Sequence, residues 1–229
     1  MRGDGKMDPV MEILYEDNHI IVAVKPAGVL SQSDGSGKPD MLNELKKYIK
    51  EEHNKPGNVF LGLVHRLDLP VEGVMVFAKT SKAASRLSEQ IRNRTFDKRY
   101  RAVVAGTPNP KEGEIVSYIA KDKANNKALV SNEPKEGYKL CRLEYKVAET
   151  IQDKSLVDIK LDTGRTHQIR AQFAQTGHPL LGDVKYGSKD GLDFPALQSC
   201  SISFGHPTTK EQMTFELPMP DRKPWSDFI

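Results

Sequence analysis

Cysteine is scarce: Cys141 and Cys200 are the only two in 229 residues. They lack the close spacing of a zinc site. A reducing compartment disfavours a disulfide between them, so both are read as ordinary buried residues. Long apolar runs are also missing, and none approaches the ~20 residues that a membrane-spanning helix needs. The N-terminus has no apolar stretch of the secretory-signal kind, so a cytoplasmic protein is expected. There is no internal repeat and no heptad pattern suited to a dimerising coiled coil. Nor is there a large excess of one charge: the net +3 is too small to announce a nucleic-acid binder by itself. With 38% hydrophobic and 28% charged residues, the composition is that of a soluble protein, long enough for one substantial core or two packed lobes.

Charge distribution says more than the sum. Between Lys79 and Arg101 stand eight basic residues, opposed only by Glu89 and Asp97. Ala83, Ala84, Leu87 and Ile91 form a helical stripe there, which puts the basic side chains toward solvent. Such a face either solubilises the protein or meets phosphates, and its place between the Asp68 loop and Tyr100 favours the second.

Periodicity predicts an α+β protein, with a large, mostly antiparallel or mixed sheet and flanking helices around a central cleft. Strands are expected near residues 12–15, 19–25, 59–64, 74–78, 98–105, 114–120, 128–132, 140–150, 155–161, 199–204 and 212–216. Helices are expected over 40–52, 81–92 and from Thr166, as N-cap, to Thr176. The charged run 121–127 is read as a hairpin tip, residues 1–11 as a flexible tail, and residues 12–229 as one catalytic domain.

Two segments carry chemistry. In the first, Val64-His65-Arg66-Leu67-Asp68 follows an apolar run, placing a carboxylate, a guanidinium and an imidazole in a loop at a strand end. The Asp68 carboxylate can act as nucleophile, base or electrostatic stabiliser. An Arg–Asp pair that merely braces a turn is the competing reading. In the second, Asp162-Thr163-Gly164-Arg165-Thr166-His167-Gln168-Ile169-Arg170 marks a strand giving way to a helix. Arg165 then lies near the positive helix end, where a guanidinium suits a carboxylate or a phosphate.

Together these segments resemble the RluA-like family of RNA pseudouridine synthases. The resemblance begins at Leu14-Tyr15-Glu16-Asp17-Asn18-His19 and continues through Val24-Lys25-Pro26-Ala27-Gly28 and His65-Arg66-Leu67-Asp68. It extends over Gly73-Val74-Met75-Val76-Phe77-Ala78-Lys79, Lys98-Arg99-Tyr100, Gly164 to Arg170, Gly182-Asp183 and Tyr186-Gly187. One stretch departs from the family pattern. Where a charged residue and a small hydroxyl pair are usual, this chain has Leu69-Pro70-Val71-Glu72-Gly73. Any hydrogen bonds those hydroxyls would make must come from elsewhere.

The resemblance implies an isomerase that breaks the N1–C1′ bond of a uridine and joins C5 to C1′, with no cofactor or metal. Its partner would be a structured ribosomal or transfer RNA, bound without a membrane, without an obligate protein partner and without a separate N-terminal RNA-binding module. Asp68 would act on the flipped-out nucleotide; Tyr100 would stack on the base, and its hydroxyl could help remove the C5 proton. Arg165 would pair with Asp68. Ile169 would pack at the pocket floor, and Lys98, Arg99 and His65 would line the substrate side. Arg66 is either a phosphate contact or a loop brace. Two rival classes are a noncatalytic RNA-binding protein of the same fold and a metal-dependent hydrolase built on His65, His167, His178 and His206. The histidines lack the close pairs of a preformed zinc site.

Overall fold

A computed structural model of the chain describes residues 11–229. The tail expected over residues 1–11 therefore lies almost wholly outside the described residues. Among the described residues eleven strands form one sheet: β1 (Ile13–Glu16), β2 (Ile20–Lys25), β3 (Gly62–Leu63), β4 (Glu72–Ala78), β5 (Asp97–Ala105), β6 (Glu112–Asp122), β7 (Lys127–Ser131), β8 (Lys139–Ile151), β9 (Lys154–Leu161), β10 (Leu197–Gly205) and β11 (Gln212–Glu216). Its order is β1-β2-β4-β10-β5-β9-β8-β6-β7, with β3 added to β4 and β11 to β10. The pairs are antiparallel except β4 with β10, where Gln198 faces Glu72 and Ser199 faces Gly73. Gly73 has φ +136, and a Cβ there would overlap the Ser199 backbone, so only glycine lets these strands meet.

Among the described residues three α-helices cover the sheet: α1 (Met41–Glu52), α2 (Ser81–Arg92) and α3 (Gln168–Gln175). The first two begin where local chemistry predicts. Asp40 accepts from Asn43 N–H at 3.0 Å, and Thr80 accepts from Ala83 N–H at 3.1 Å. The third begins differently. Thr166 is not its cap: His167 holds that position in a left-handed conformation (φ 53, ψ 22) and makes no side-chain cap bond. Gln168 reaches back instead, its Oε1 accepting from Arg165 N–H at 3.1 Å and from Thr163 Oγ1 at 2.8 Å. The strand expected over 59–64 shrinks to Gly62 and Leu63, because only these pair with Ala78 and Phe77, while Phe60 stays exposed.

Strand alternation divides the core into two layers. Ile21, Ala23, Met75, Phe77, Tyr100, Ala102, Val157 and Ile159 pack with Met41, Leu45 and Ile49 of α1 and with Ile169 and Phe173 of α3. Ile20, Val22, Val74, Val76, Ile202 and Phe204 pack with Ala83 and Leu87 of α2 on the other face. Each fully buried aliphatic side chain contributes roughly 1.5–3 kcal/mol. The basic helix α2 thus lies across the sheet from Tyr100 and Ile169. Its place in the sequence between the Asp68 loop and Tyr100 does not carry over to space, since sheet topology decides which face a helix covers.

Candidate active site

Asp68 sits in the loop between β3 and β4, and an upstream segment holds the backbone on both sides of it. Ser31 Oγ donates to Leu67 O at 2.8 Å and accepts from Leu67 N–H at 3.1 Å. Gly28 N–H donates to Leu69 O at 2.9 Å. Lys25, wholly buried, donates to Leu69 O at 3.1 Å, Pro26 O at 3.0 Å and Val29 O at 2.5 Å. These three carbonyls match the three hydrogens of an ammonium. Burial still pulls the Lys25 pKa down to about 7, against the opposing charges of Asp68 and Glu72. Among the described residues, the side-chain hydroxyl that bonds the backbone of this loop is thus that of Ser31, at Leu67. Leu67 and Val71, both buried in the core, anchor the loop from below.

The Asp68 side chain is 25% exposed, and the guanidinium that meets it belongs to Arg170: Nη1 lies 3.4 Å from Oδ2. Arg170 is 5% exposed and forms a fork with Asp183 (1% exposed), with Nε to Oδ2 at 2.7 Å and Nη2 to Oδ1 at 2.8 Å. Burial alone would lower the Arg170 pKa; the Asp183 bonds and the Asp68 charge outweigh it and raise it. The Arg170 guanidinium also lies 5.2 Å from the centre of the Tyr186 ring. His167 is buried, with Nε2 3.8 Å from Asp68 Oδ2 and Nδ1 2.9 Å from Tyr186 Oη. One carboxylate oxygen is thus approached by two side chains from the segment before α3 and its first turn.

The expected Asp68–Arg165 pair is not what forms. Arg165 is exposed, with its Nε 3.5 Å from Leu140 O. The short side chain of Asp68 faces the helix-borne Arg170, and the loop before the helix carries Arg165 outward. Tyr100 is buried and shares the apolar cluster with Leu67, Val71 and Ile169. Burial and then the Asp68 charge push its phenol pKa up, so it is a neutral hydroxyl at physiological pH. Lys98 is half-buried with a pKa lowered by burial; its Nζ would be 3.4 Å from a Cβ built at Gly164. Arg66 is exposed, and Arg99, also exposed, pairs with Asp97 at 2.9 Å. Arg170, Asp183, His167, Gln168, Tyr186, Lys25 and Ser31 carry the support of the site. Except for Ser31 they stood in the quoted motifs without a role in the synthase reading, and His167 entered only the rival metal-hydrolase reading.

His65 turns into the sheet, where its Nε2 accepts from Val76 N–H at 3.1 Å and its ring packs 5.5 Å from Phe96. Burial, and then the Lys98 charge, depress its pKa to about 3. Protonation would also turn Nε2, which accepts from Val76 N–H, into a donor. In the unfolded chain the ring takes up its proton near pH ~6.5. Between those values only the unfolded state is protonated, so stability present above pH ~6.5 falls as pH drops toward 3. Replacing His65 with Gln keeps an acceptor that does not titrate there. Urea midpoints of His65→Gln should therefore fall less between pH 6.5 and 4 than those of the wild type; parallel profiles would contradict this.

The other histidines are engaged separately: His178 Nδ1 lies 2.8 Å from Ala105 O, and His206 Nε2 lies 2.9 Å from Asp17. Among the described residues, no group of three or more His, Cys, Asp or Glu side chains is arranged to hold a metal ion, and no helix is long and apolar enough to cross a membrane.

Comparison with known proteins decides the family. Residues 19–175 match the family described as RNA pseudouridylate synthase, a span that contains the Asp68 loop, Tyr100 and Arg170. This chain belongs to that family. An uncharacterized RNA pseudouridine synthase of Bacillus subtilis (strain 168) is 34% identical over 215 residues, covering 92% of this chain and 70% of the relative. Ribosomal large subunit pseudouridine synthase D of Zymomonas mobilis is 32% identical over 225 residues, covering 93% and 70%. The fold matches human RNA Pseudouridylate Synthase Domain Containing 4 with a TM-score of 0.76 and 22% identity, over 91% of this chain and 88% of that one. The pseudouridine synthase is an α+β isomerase, as its sequence resemblance implied.

Proposed function

We propose that this synthase isomerises one uridine of a structured RNA in the cytoplasm, with large ribosomal RNA the favoured substrate and Asp68 the acting carboxylate. Two observations support this reading. The Asp68 carboxylate is partly open to solvent and held from behind by a buried guanidinium, Arg170. The similar protein of Zymomonas mobilis is named for the ribosomal large subunit. In the reaction the N1–C1′ bond breaks, the uracil turns, and C5 bonds to C1′. C5 then loses its proton and N1 ends with one, so atoms and electrons balance with no redox partner. The nucleotide must leave its stack to reach Asp68, at a cost of a few kcal/mol, which aromatic stacking and phosphate contacts offset. Lys98, Arg66 and Arg165 supply cations for those phosphates.

Because the C5 hydrogen is released, RNA carrying tritium at C5 of uridine gives a direct assay. Purified protein should release tritium from large ribosomal RNA, and sequencing of the product should place pseudouridine at one position. No release from ribosomal or transfer RNA would remove the assignment. Tyr100 is proposed to help remove the C5 proton through its neutral hydroxyl. Tyr100→Phe keeps the ring and its packing, so tritium release should slow by about 10²-fold with RNA affinity unchanged. Unaltered turnover would restrict Tyr100 to stacking and core packing.

A further inference from the structure

We infer that His167 is a positioning residue, presenting a fixed Nε2–H to Asp68 Oδ2 and so reserving Oδ1 for the substrate. The inference rests on the reading that Asp68 is the acting carboxylate, and extends it to which oxygen acts.

The tautomer follows from a chain of contacts. The Tyr186 hydroxyl oxygen accepts from Ala128 N–H at 2.7 Å. Tyr186 is buried, so its own O–H proton needs an acceptor. The polar atom beside it is His167 Nδ1 at 2.9 Å. With Nδ1 accepting, a neutral imidazole carries its proton on Nε2, the nitrogen that faces Asp68 Oδ2 at 3.8 Å. The ring is neutral because burial lowers its pKa, against the Asp68 charge and with Arg170 and Lys185 adding to the lowering. At 3.8 Å the approach is longer than a hydrogen bond, as catalytic contacts often are before substrate closes the site. Arg170 Nη1 reaches the same Oδ2 at 3.4 Å. Among the described residues no group donates to Oδ1.

Backbone strain supports the same conclusion. His167 holds φ 53 and ψ 22, a region costly for a residue with a Cβ. That conformation sets the ring between Tyr186 and Asp68.

Two substitutions separate a donor role from a structural one. Asn tolerates the left-handed conformation better than most residues but cannot place an N–H where Nε2 stands. Gln fits that backbone less well but carries its amide nitrogen at about the reach of Nε2. A donor role predicts that His167→Gln keeps kcat within about fivefold of wild type. His167→Asn should then lose on the order of ten- to a hundredfold in kcat, the range for losing a hydrogen bond to a charged group, with KM for RNA little changed. A purely structural role predicts the reverse order, and that order, or equal wild-type rates, overturns the inference. Nitrogen-15 NMR of the wild-type full chain, with the His167 signal assigned from the variants, should show Nε2 protonated. In Tyr186→Phe, which removes the proton donor to Nδ1, the Nε2–H form should lose population and kcat should fall with it. A wild-type ring protonated on Nδ1 also overturns the inference, whether or not the variants fold. Asp68→Asn serves as the control: if it stays active, the assignment of Asp68 has failed, whereas an inactive Asp68→Asn beside a fully active His167→Asn defeats only the role of His167.

Discussion

Asp68→Asn should abolish tritium release from C5-labelled RNA, by at least about a thousandfold, while RNA affinity stays within about threefold of wild type. The amide has nearly the shape of the carboxylate, and Leu67 and Leu69 keep their bonds to Ser31, Gly28 and Lys25. Arg170 keeps its two-bond partner Asp183, so no buried guanidinium is stranded. The loss therefore falls on the chemical step and not on folding, and a thermal midpoint close to wild type would confirm that. A correctly folded Asp68→Asn protein that turns over at more than a few per cent of the wild-type rate would remove Asp68 from its role.

Arg170→Met should be severe in another way. It leaves Asp183, 1% exposed, as a buried charge with no counter-ion, and it takes the guanidinium from Asp68. Orphaning one partner of a buried pair costs about 3–5 kcal/mol, and that loss should appear in the urea midpoint. Turnover should fall by about 10²-fold or more even at temperatures where the variant is folded. Adding Asp183→Asn removes the stranded charge, so the double variant should recover much of the stability and none of the activity. Wild-type stability and turnover in Arg170→Met would show that the fork does not organise the site.

Much of this architecture was legible in the sequence where the deciding interactions are local. The bounds of α1 and α2 follow from Asp40 and Thr80 as caps and from stripes such as Leu45–Ile49 and Ala83–Leu87. The site was less legible where distant segments meet. Arg170 lies in the first turn of α3, where a cation opposes the helix dipole, so nothing local marks it as the partner of Asp68. Two carboxylates from elsewhere, Asp68 and Asp183, make that placement favourable. The buried run Gln168 to Phe173 shows that α3 is enclosed on nearly every side, which an amphipathic reading of Ile169 and Phe173 understates. The left-handed turn at His167 had no glycine or asparagine to announce it. The side of the sheet taken by α2 depended on pairings between strands far apart in sequence.

The place of β10 bears on when this enzyme can first work. It lies between β4 and β5, although its residues come about a hundred positions after β5 in the chain. During synthesis the Asp68 loop and Tyr100 therefore leave the ribosome well before the strand that joins their halves of the sheet. Until Leu197–Gly205 arrives, the facing edges of β4 and β5 have no partner for each other and are open to pairing with other chains. A nascent chain stalled before that point holds every proposed active-site side chain and no assembled enzyme.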